Sequence, residues 1–460
     1  MIYSAQKRNL ILYLLISTVS FIFLVTIPEA GISVLIFVII QAAALRLLLP
    51  RKSLLFFAPI FILALNSFIS ANPMWRAANI VVAAAIYAAM SVKITYGISL
   101  KDTSLAFFRR LAETIAHAFA SFGVPISWGA QAQIQNVPTI RRVLKGVAIS
   151  VPVLLFLTVV LSSADLIFSR FVENIFNEIF AFINFKTVER VLSGIFVGLY
   201  LFGIVYVISN FKNEPEELET EKISRVDDSI VIGIVLGSAL IIYTLFVVIQ
   251  FGYLFASLNN LPYNLNHVNY ARRGFFELLF LTFVNISAIL VSVWLTKAKV
   301  IRLMCIYLCA VTVVLLASSF YRMYLYGEDD GLTRMRFLVL GFLFFELIGL
   351  LFTFCYIAKP KFNIVLVYCL IALSYFLLLN LTPIDRIIAR DQVNRYFATG
   401  RGGVEYSVTL SPDAAPEIAR LLSSPNEKTQ ELARKYFESI EASKGWRQWN
   451  LSRIRAVRMY

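Results

Sequence analysis

The chain alternates long apolar runs with short polar joints. An apolar run of roughly 20 residues can cross a bilayer as a helix. Eleven runs fit: Leu10–Ile27, Gly31–Leu49, Leu54–Ser70, Ala77–Val92, Val147–Phe168, Leu192–Ser209, Ile230–Leu254, Phe276–Thr296, Leu303–Phe320, Phe337–Ile357 and Phe362–Leu381. The third and fourth are the shortest. Lys7 and Arg8 precede the first run, as they would in a secretory signal. Its apolar core exceeds the usual ~7–15 residues and a second run follows at once, so it reads as a transmembrane helix.

Three stretches break the pattern. Between Lys101 and Phe122, Leu105, Phe108, Leu111, Ile115 and Phe119 recur at helical spacing with Arg109, Arg110 and Glu113 among them. That predicts an amphipathic helix, lying on the inner membrane surface or packed as a cytoplasmic helix. Lys212–Asp228 is acidic, lacks aromatics and reads as a solvated linker. From Pro383 onward the long runs stop. Ser411–Pro412 is a helix start; Ser424, Pro425 and Glu427 suggest a second, of capping-box type. Leu432, Phe437 and Ile440 form an apolar stripe after it. Gly400, Gly402 and Gly403 make a loop without the strand, helix and Lys-Ser/Thr that phosphate binding requires.

The expected fold is all-α, a polytopic transmembrane helix bundle with a small helical C-terminal extramembrane domain. The expected layout is a four-span segment over 1–95, a basic amphipathic cytoplasmic segment over 96–146, a seven-span core over 147–382 and a soluble domain over 383–460.

Composition narrows the class. Hydrophobic residues make up 59% of the 460 and charged residues 15%. Soluble domains average about 45–50% and about 25%, so a soluble globular enzyme and a disordered chain are both excluded. A net charge of +14 would suggest nucleic acid in a soluble protein; here it reflects basic cytoplasmic loops. With a cytoplasmic N-terminus, inner segments hold 20 of the 42 Lys and Arg, outer segments 9 and the tail 13. Eleven spans then leave the tail extracytoplasmic, where nucleic acid is not an expected partner and the lipid bilayer is.

Motifs exclude more than they identify. The two histidines, His117 and His267, fall on opposite sides, so an H-E-x-x-H zinc site cannot form. No phosphate loop or G-x-S-x-G elbow occurs. Cys305, Cys309, Cys355 and Cys369 all lie within spans and fit helix packing. No cofactor is expected.

Charges within or beside spans are the informative positions, because they are costly there. Asp165 closes the fifth span. Before the eighth lie His267, Tyr270, Arg272 and Arg273, with Glu277 one turn after Arg273. Arg322, Arg334 and Arg336 surround the loop Tyr321–Arg334, and Glu346 lies near the middle of the tenth span. Asp385, Arg386, Arg390, Asp391, Asn394 and Arg395 open the tail. One reading is a set of ion pairs tying loops to tail. Another is a pocket for an anionic or lipid-headgroup ligand, since Arg forks suit phosphate and carboxylate. A third is acid–base work by paired carboxylates beside His267. Glu346 suits a transport pathway or helix pairing. The corresponding functions are sensing or binding at the envelope, secondary transport or lipid flipping, and, as the lesser alternative, membrane-embedded catalysis.

Several stretches also carry a resemblance. They are Arg141–Gly146 with Val151-Pro152 and Ser163–Asp165, Tyr270–Leu278, Tyr326-Gly327 with Leu332–Arg336, Ile388–Tyr396, Leu410–Pro416 and Trp446–Arg453. Together, and in this order over roughly 140–455, they resemble the domain-of-unknown-function families numbered 4153 and 4173. Thr382-Pro383-Ile384-Asp385 departs from the Asn-Pro-Asp more usual at the tail opening. The resemblance implies a bacterial plasma-membrane protein and no established reaction, cofactor or substrate.

Overall fold

A computed structural model describes residues 4–46, 48, 57–96, 105–133, 185–211, 229–254, 275–360, 362–440 and 445–460. Among these the chain is helical, with no strand. The helices before the tail are α1 (Ser4–Leu24), α2 (Ile32–Arg46), α3 (Phe57–Ile69), α4 (Met74–Tyr96), α5 (Leu105–Ala120), α6 (Val124–Gln133), α7 (Phe185–Phe211), α8 (Ser229–Leu254), α9 (Phe275–Leu295), α10 (Lys299–Asp330), α11 (Arg334–Ala358) and α12 (Ile364–Leu381). The tail comprises α13 (Ile384–Thr399), α14 (Val404–Ser407), α15 (Ala415–Ile418), α16 (Glu427–Ser439) and α17 (Leu451–Val457).

Eight helices among the described residues are long and apolar enough to span a membrane: α1, α4 and α7–α12. The protein is therefore an all-α polytopic membrane protein. The second and third expected spans are shorter than expected, at 15 residues in α2 and 13 in α3, against the roughly 20 of a full crossing. Val147–Phe168 lies outside the described residues. A second difference concerns Tyr321–Arg334. It was expected to be a loop, but α10 continues through it to Asp330. The helix stops only at Gly331, whose φ of +75° is the left-handed conformation that ends helices.

The described residues fall into two compact units. In the first (Met1–Ala58, Ala84–Gly97, Arg109–Glu214) α1 runs along α7 at close range. A Cβ on Gly198 would collide with Thr18 Oγ1, and one on Gly194 with an Ile22 side-chain carbon. The four-residue glycine spacing lets the two backbones approach. The Tyr13 and Tyr87 hydroxyls meet at 2.7 Å, and Ser17 donates to Gln41 at 2.9 Å. These bonds fix α2 and the second half of α4 to α1. The amphipathic face of α5 also finds a protein partner. Phe119 packs on Phe196 and Tyr200, and a Cβ on Gly203 would collide with the Ala118 carbonyl. Phe108 and Phe119 of the same helix nonetheless stay exposed.

The second unit (Pro59–Ala83, Ile98–Phe108, Pro215–Tyr460) holds α8–α12 and the tail helices. Ile289, Cys305, Leu308, Leu343 and Leu350 sit in its membrane core. The tail helices have a core of their own around Ile388, Val393, Ala414, Ile418, Leu421 and Phe437. That core is continuous with Trp75 and Leu379 at the ends of membrane helices, so the tail forms a cap resting on those ends. Caps on the helix starts follow local chemistry. Thr333 accepts from the Arg336 amide to start α11, and Asn363 from Leu366 to start α12. The expected start at Ser424 is corrected to Asn426, which accepts from Lys428 and Thr429. Ser424 instead accepts from the Asn426 amide and meets the Tyr396 hydroxyl.

Candidate functional site

Several of the charged candidates of the second unit gather where the cap meets the bundle. Asp385 enters from the first turn of α13 and is fully buried. Arg334 opens α11, and its guanidinium meets both oxygens of Asp385, Nε to Oδ1 at 2.7 Å and Nη2 to Oδ2 at 2.6 Å. The paired N–H groups match the spacing of a carboxylate. The Ser411 amide donates to the same carboxylate at 3.0 Å. Burial by itself opposes ionisation of Asp385, but the Arg334 and Ser411 contacts outweigh it and hold the carboxyl below its usual pKa. The Arg334 amide donates in turn to the Tyr406 hydroxyl at 3.0 Å.

Two further carboxylates repeat the theme. Asp391 accepts the Leu332 amide at 2.8 Å and Arg395 at 3.2 Å. Asp413 accepts the Ser70 hydroxyl and, at 2.9 Å, the Ala71 amide, so the turn between α3 and α4 is also held. Gln392 donates to the Leu332 carbonyl and accepts from the Gly403 amide, both at 2.8 Å. The glycine loop after α13 thus folds back on that helix. Nearer the cap's surface the buried Glu417 takes Arg386 at 3.3 Å and Arg420 at 3.2 Å, and Arg420 donates to Asn394 at 2.9 Å.

The remaining sequence candidates divide cleanly. Arg336 is buried and donates to the Gly331 carbonyl, bracing the α10–α11 turn. Arg322 is half-buried in α10. Arg390 is exposed on α13 and makes no hydrogen bond or ion pair among the described residues. Glu346 lies in mid-α11 and accepts from Thr282 of α9, while its Oε2 is buried without a partner. Glu277 falls in the first turn of α9, where only the backbone is described. Asp165, His267, Tyr270, Arg272 and Arg273 lie outside the described residues. No three His, Cys, Asp or Glu side chains converge among the described residues in a way that could hold a metal.

Some residues of the site carry no advance signal. Asp385 was named only as part of the tail opening; its partner is 51 positions away. Asp413 and Asn450 sit in stretches noted for resemblance and helix starts, not for charge. A buried Asp directly after a span was the one usable clue, because an ionised group there needs a cation.

A family model described as "Domain of unknown function (DUF4153)" matches residues 57–421. No curated protein and no solved structure matches the chain.

Proposed function

From a chain that belongs to the DUF4153 domain family, we propose a bacterial plasma-membrane protein that holds a helical binding platform outside the cell and is not an enzyme. The proposed layout keeps the four-span segment 1–95, the basic amphipathic segment 96–146, the core 147–382 and the cap 383–460. The distribution of basic residues supports the orientation. Lys297, Lys299 and Arg302 stand at the α9–α10 joint and Lys359 at the end of α11. Each is at the opposite end of its helix from the cap. Positive charge marks the cytoplasmic side, which supports a cap outside; Lys7 and Arg8 before the first span support an N-terminus within.

One observation carries the binding role. Arg386, Arg390 and Asn394 recur every four residues on α13, so they share a face. Glu417 engages the first and Arg420 the last. Arg390 between them is exposed and unengaged among the described residues. A guanidinium on a rigid, ion-paired surface suits a phosphate or carboxylate ligand. Thermal unfolding of the full chain with inorganic phosphate or glycerol phosphate tests this. The midpoint should rise with anion concentration, and Arg390→Glu should abolish the rise. A midpoint insensitive to both anions sinks the reading.

Transport is the second reading, and Glu346 favours it. A carboxylate oxygen buried in mid-span without a partner is costly, and such positions serve ion or proton pathways. Dye-monitored proton flux into proteoliposomes separates the two. Rates equal to empty liposomes, with no change in Glu346→Gln, remove transport of protons from consideration.

A further inference from the structure

The C-terminal end of the cap has a role that the ion pairs do not explain. Trp446 is 44% exposed and Trp449 51% exposed, unusual for two large indoles on a water-facing surface. Their height relative to the bundle is set by hydrogen bonds. Asn450 Nδ2 donates to the Ser67 carbonyl at 2.9 Å and the Ser70 carbonyl at 2.7 Å, and Ser452 donates to the Ile69 carbonyl at 3.0 Å. These carbonyls stand at the end of α3 and just after it. Asn66 of the same helix end donates to the carbonyl of Asn380, the penultimate residue of α12. The 446–449 turn therefore sits at the depth where the apolar run of the spanning helix α12 ends.

Around this depth the bundle still exposes apolar side chains, with Arg76 at the start of α4 also exposed. Ile69, Leu378 and Leu381 are all exposed. Beyond the tryptophans, α17 and its end carry Arg455 and Arg458, both exposed. Indoles favour the membrane–water interface because one end of the ring system is apolar and the N–H is polar. Exposed arginines that follow such indoles in the chain suit lipid phosphates.

We propose that Trp446–Arg458 is a lipid-contacting foot of the cap. Trp446 and Trp449 enter the headgroup layer of the leaflet beneath the cap, and Arg455 and Arg458 bind phosphates of that leaflet. The occupant is phospholipid because this surface stands where the bilayer must end if α12 crosses it. The proposal rests on the cap lying against the membrane, and it is independent of which side that is and of any ligand at Arg390.

The test uses the full chain in lipid nanodiscs. Indole fluorescence of Trp446 and Trp449 is isolated by subtracting a W446F/W449F variant, since Trp75, Trp128 and Trp294 also emit. Phospholipids brominated near the top of the acyl chain should quench this difference signal more than lipids brominated near the chain end. Aqueous iodide should quench it least. Loss of the shallow-lipid quenching, with iodide quenching in its place, overturns the proposal; so does deeper quenching that exceeds shallow. In a second arm, replacing phosphatidylcholine by phosphatidylglycerol should shift the emission to the blue, and R455Q/R458Q should remove that shift. An unchanged shift in the variant overturns the arginine half. Because phosphate binding at Arg390 is read by soluble anions, failure of either reading leaves the other intact.

Discussion

Arg334 and Asp385 form a two-pronged ion pair that joins the first residue of a membrane helix to the second residue of the cap's leading helix. The Asp385 side chain is fully buried and that of Arg334 30% exposed. Removing one partner of such a pair leaves the other uncompensated, at a cost of about 3–5 kcal/mol. Asp385→Asn should therefore loosen the cap selectively, with faster hydrogen exchange over 384–440 and little change in α9–α12. In a double-mutant cycle with Arg334→Gln, the two losses should be strongly non-additive. Additive losses would mean that the pair does not hold the cap.

The same pair makes cap docking acid-sensitive. The folded pKa of Asp385 lies below its ordinary value of 3.8. A depressed carboxylate contributes stability that is fully present above the unfolded value and is lost as pH falls through the folded one. Cap protection should be flat from neutrality down to about the ordinary Asp value and then fall. Asp385→Asn should remove this part of the acid response while lowering protection throughout. An unaltered acid profile in the variant would assign the loss to other carboxylates.

Asn450 caps two helices at once. Its Oδ1 accepts the Arg453 amide at the start of α17, and its Nδ2 donates to carbonyls at the end of α3. Asn450→Asp keeps the acceptor and loses the donor, whereas Asn450→Ala loses both. Alanine should cost about 1 kcal/mol more than a variant that retains the N-cap, so Ala should destabilise at least as much as Asp. Thermal unfolding of the two variants compares them directly. If Asp is markedly worse, repulsion between its carboxylate and the α3 carbonyls outweighs the retained cap.

Packing of α1 on α7 depends on two glycines. Gly198→Leu places side-chain atoms where Thr18 already stands, and overpacking of this kind costs about 1–3 kcal/mol. Val235→Leu on α8, at an exposed position, serves as the control. A cysteine cross-link between α1 and α7 should form less efficiently only in the glycine variant. Equal cross-linking in both would show that the helices accommodate the larger side chain.

The membrane character and most spans could be read without coordinates, because a bilayer imposes a length and polarity that a run such as Ile230–Leu254 or Phe337–Ile357 meets by itself. The tail's change of pattern after Leu381 was equally readable. The extension of α10 was missed because Tyr321–Asp330 mixes aromatic and charged residues, which suggests a loop, whereas the helix persists until Gly331 supplies a left-handed turn. The spacing of Gly194 and Gly198 was visible, but the close approach of α1 was not, since a glycine pair does not name the helix it faces.

The sequence by itself determined the environment. Apolar length, charge bias and the absence of nucleotide and metal motifs follow from residue identity and local spacing. Only the tertiary structure decided what the charges do. For Arg334 a tie and a ligand site both stayed open, the tie ahead, until Asp385 arrived from 51 positions away, and Arg390 became the distinctive one once its neighbours on α13 were seen to be engaged. The physical reason is that an ion pair is a property of two side chains brought together in space. Neither its partner choice nor its burial is encoded in the short-range pattern of either one.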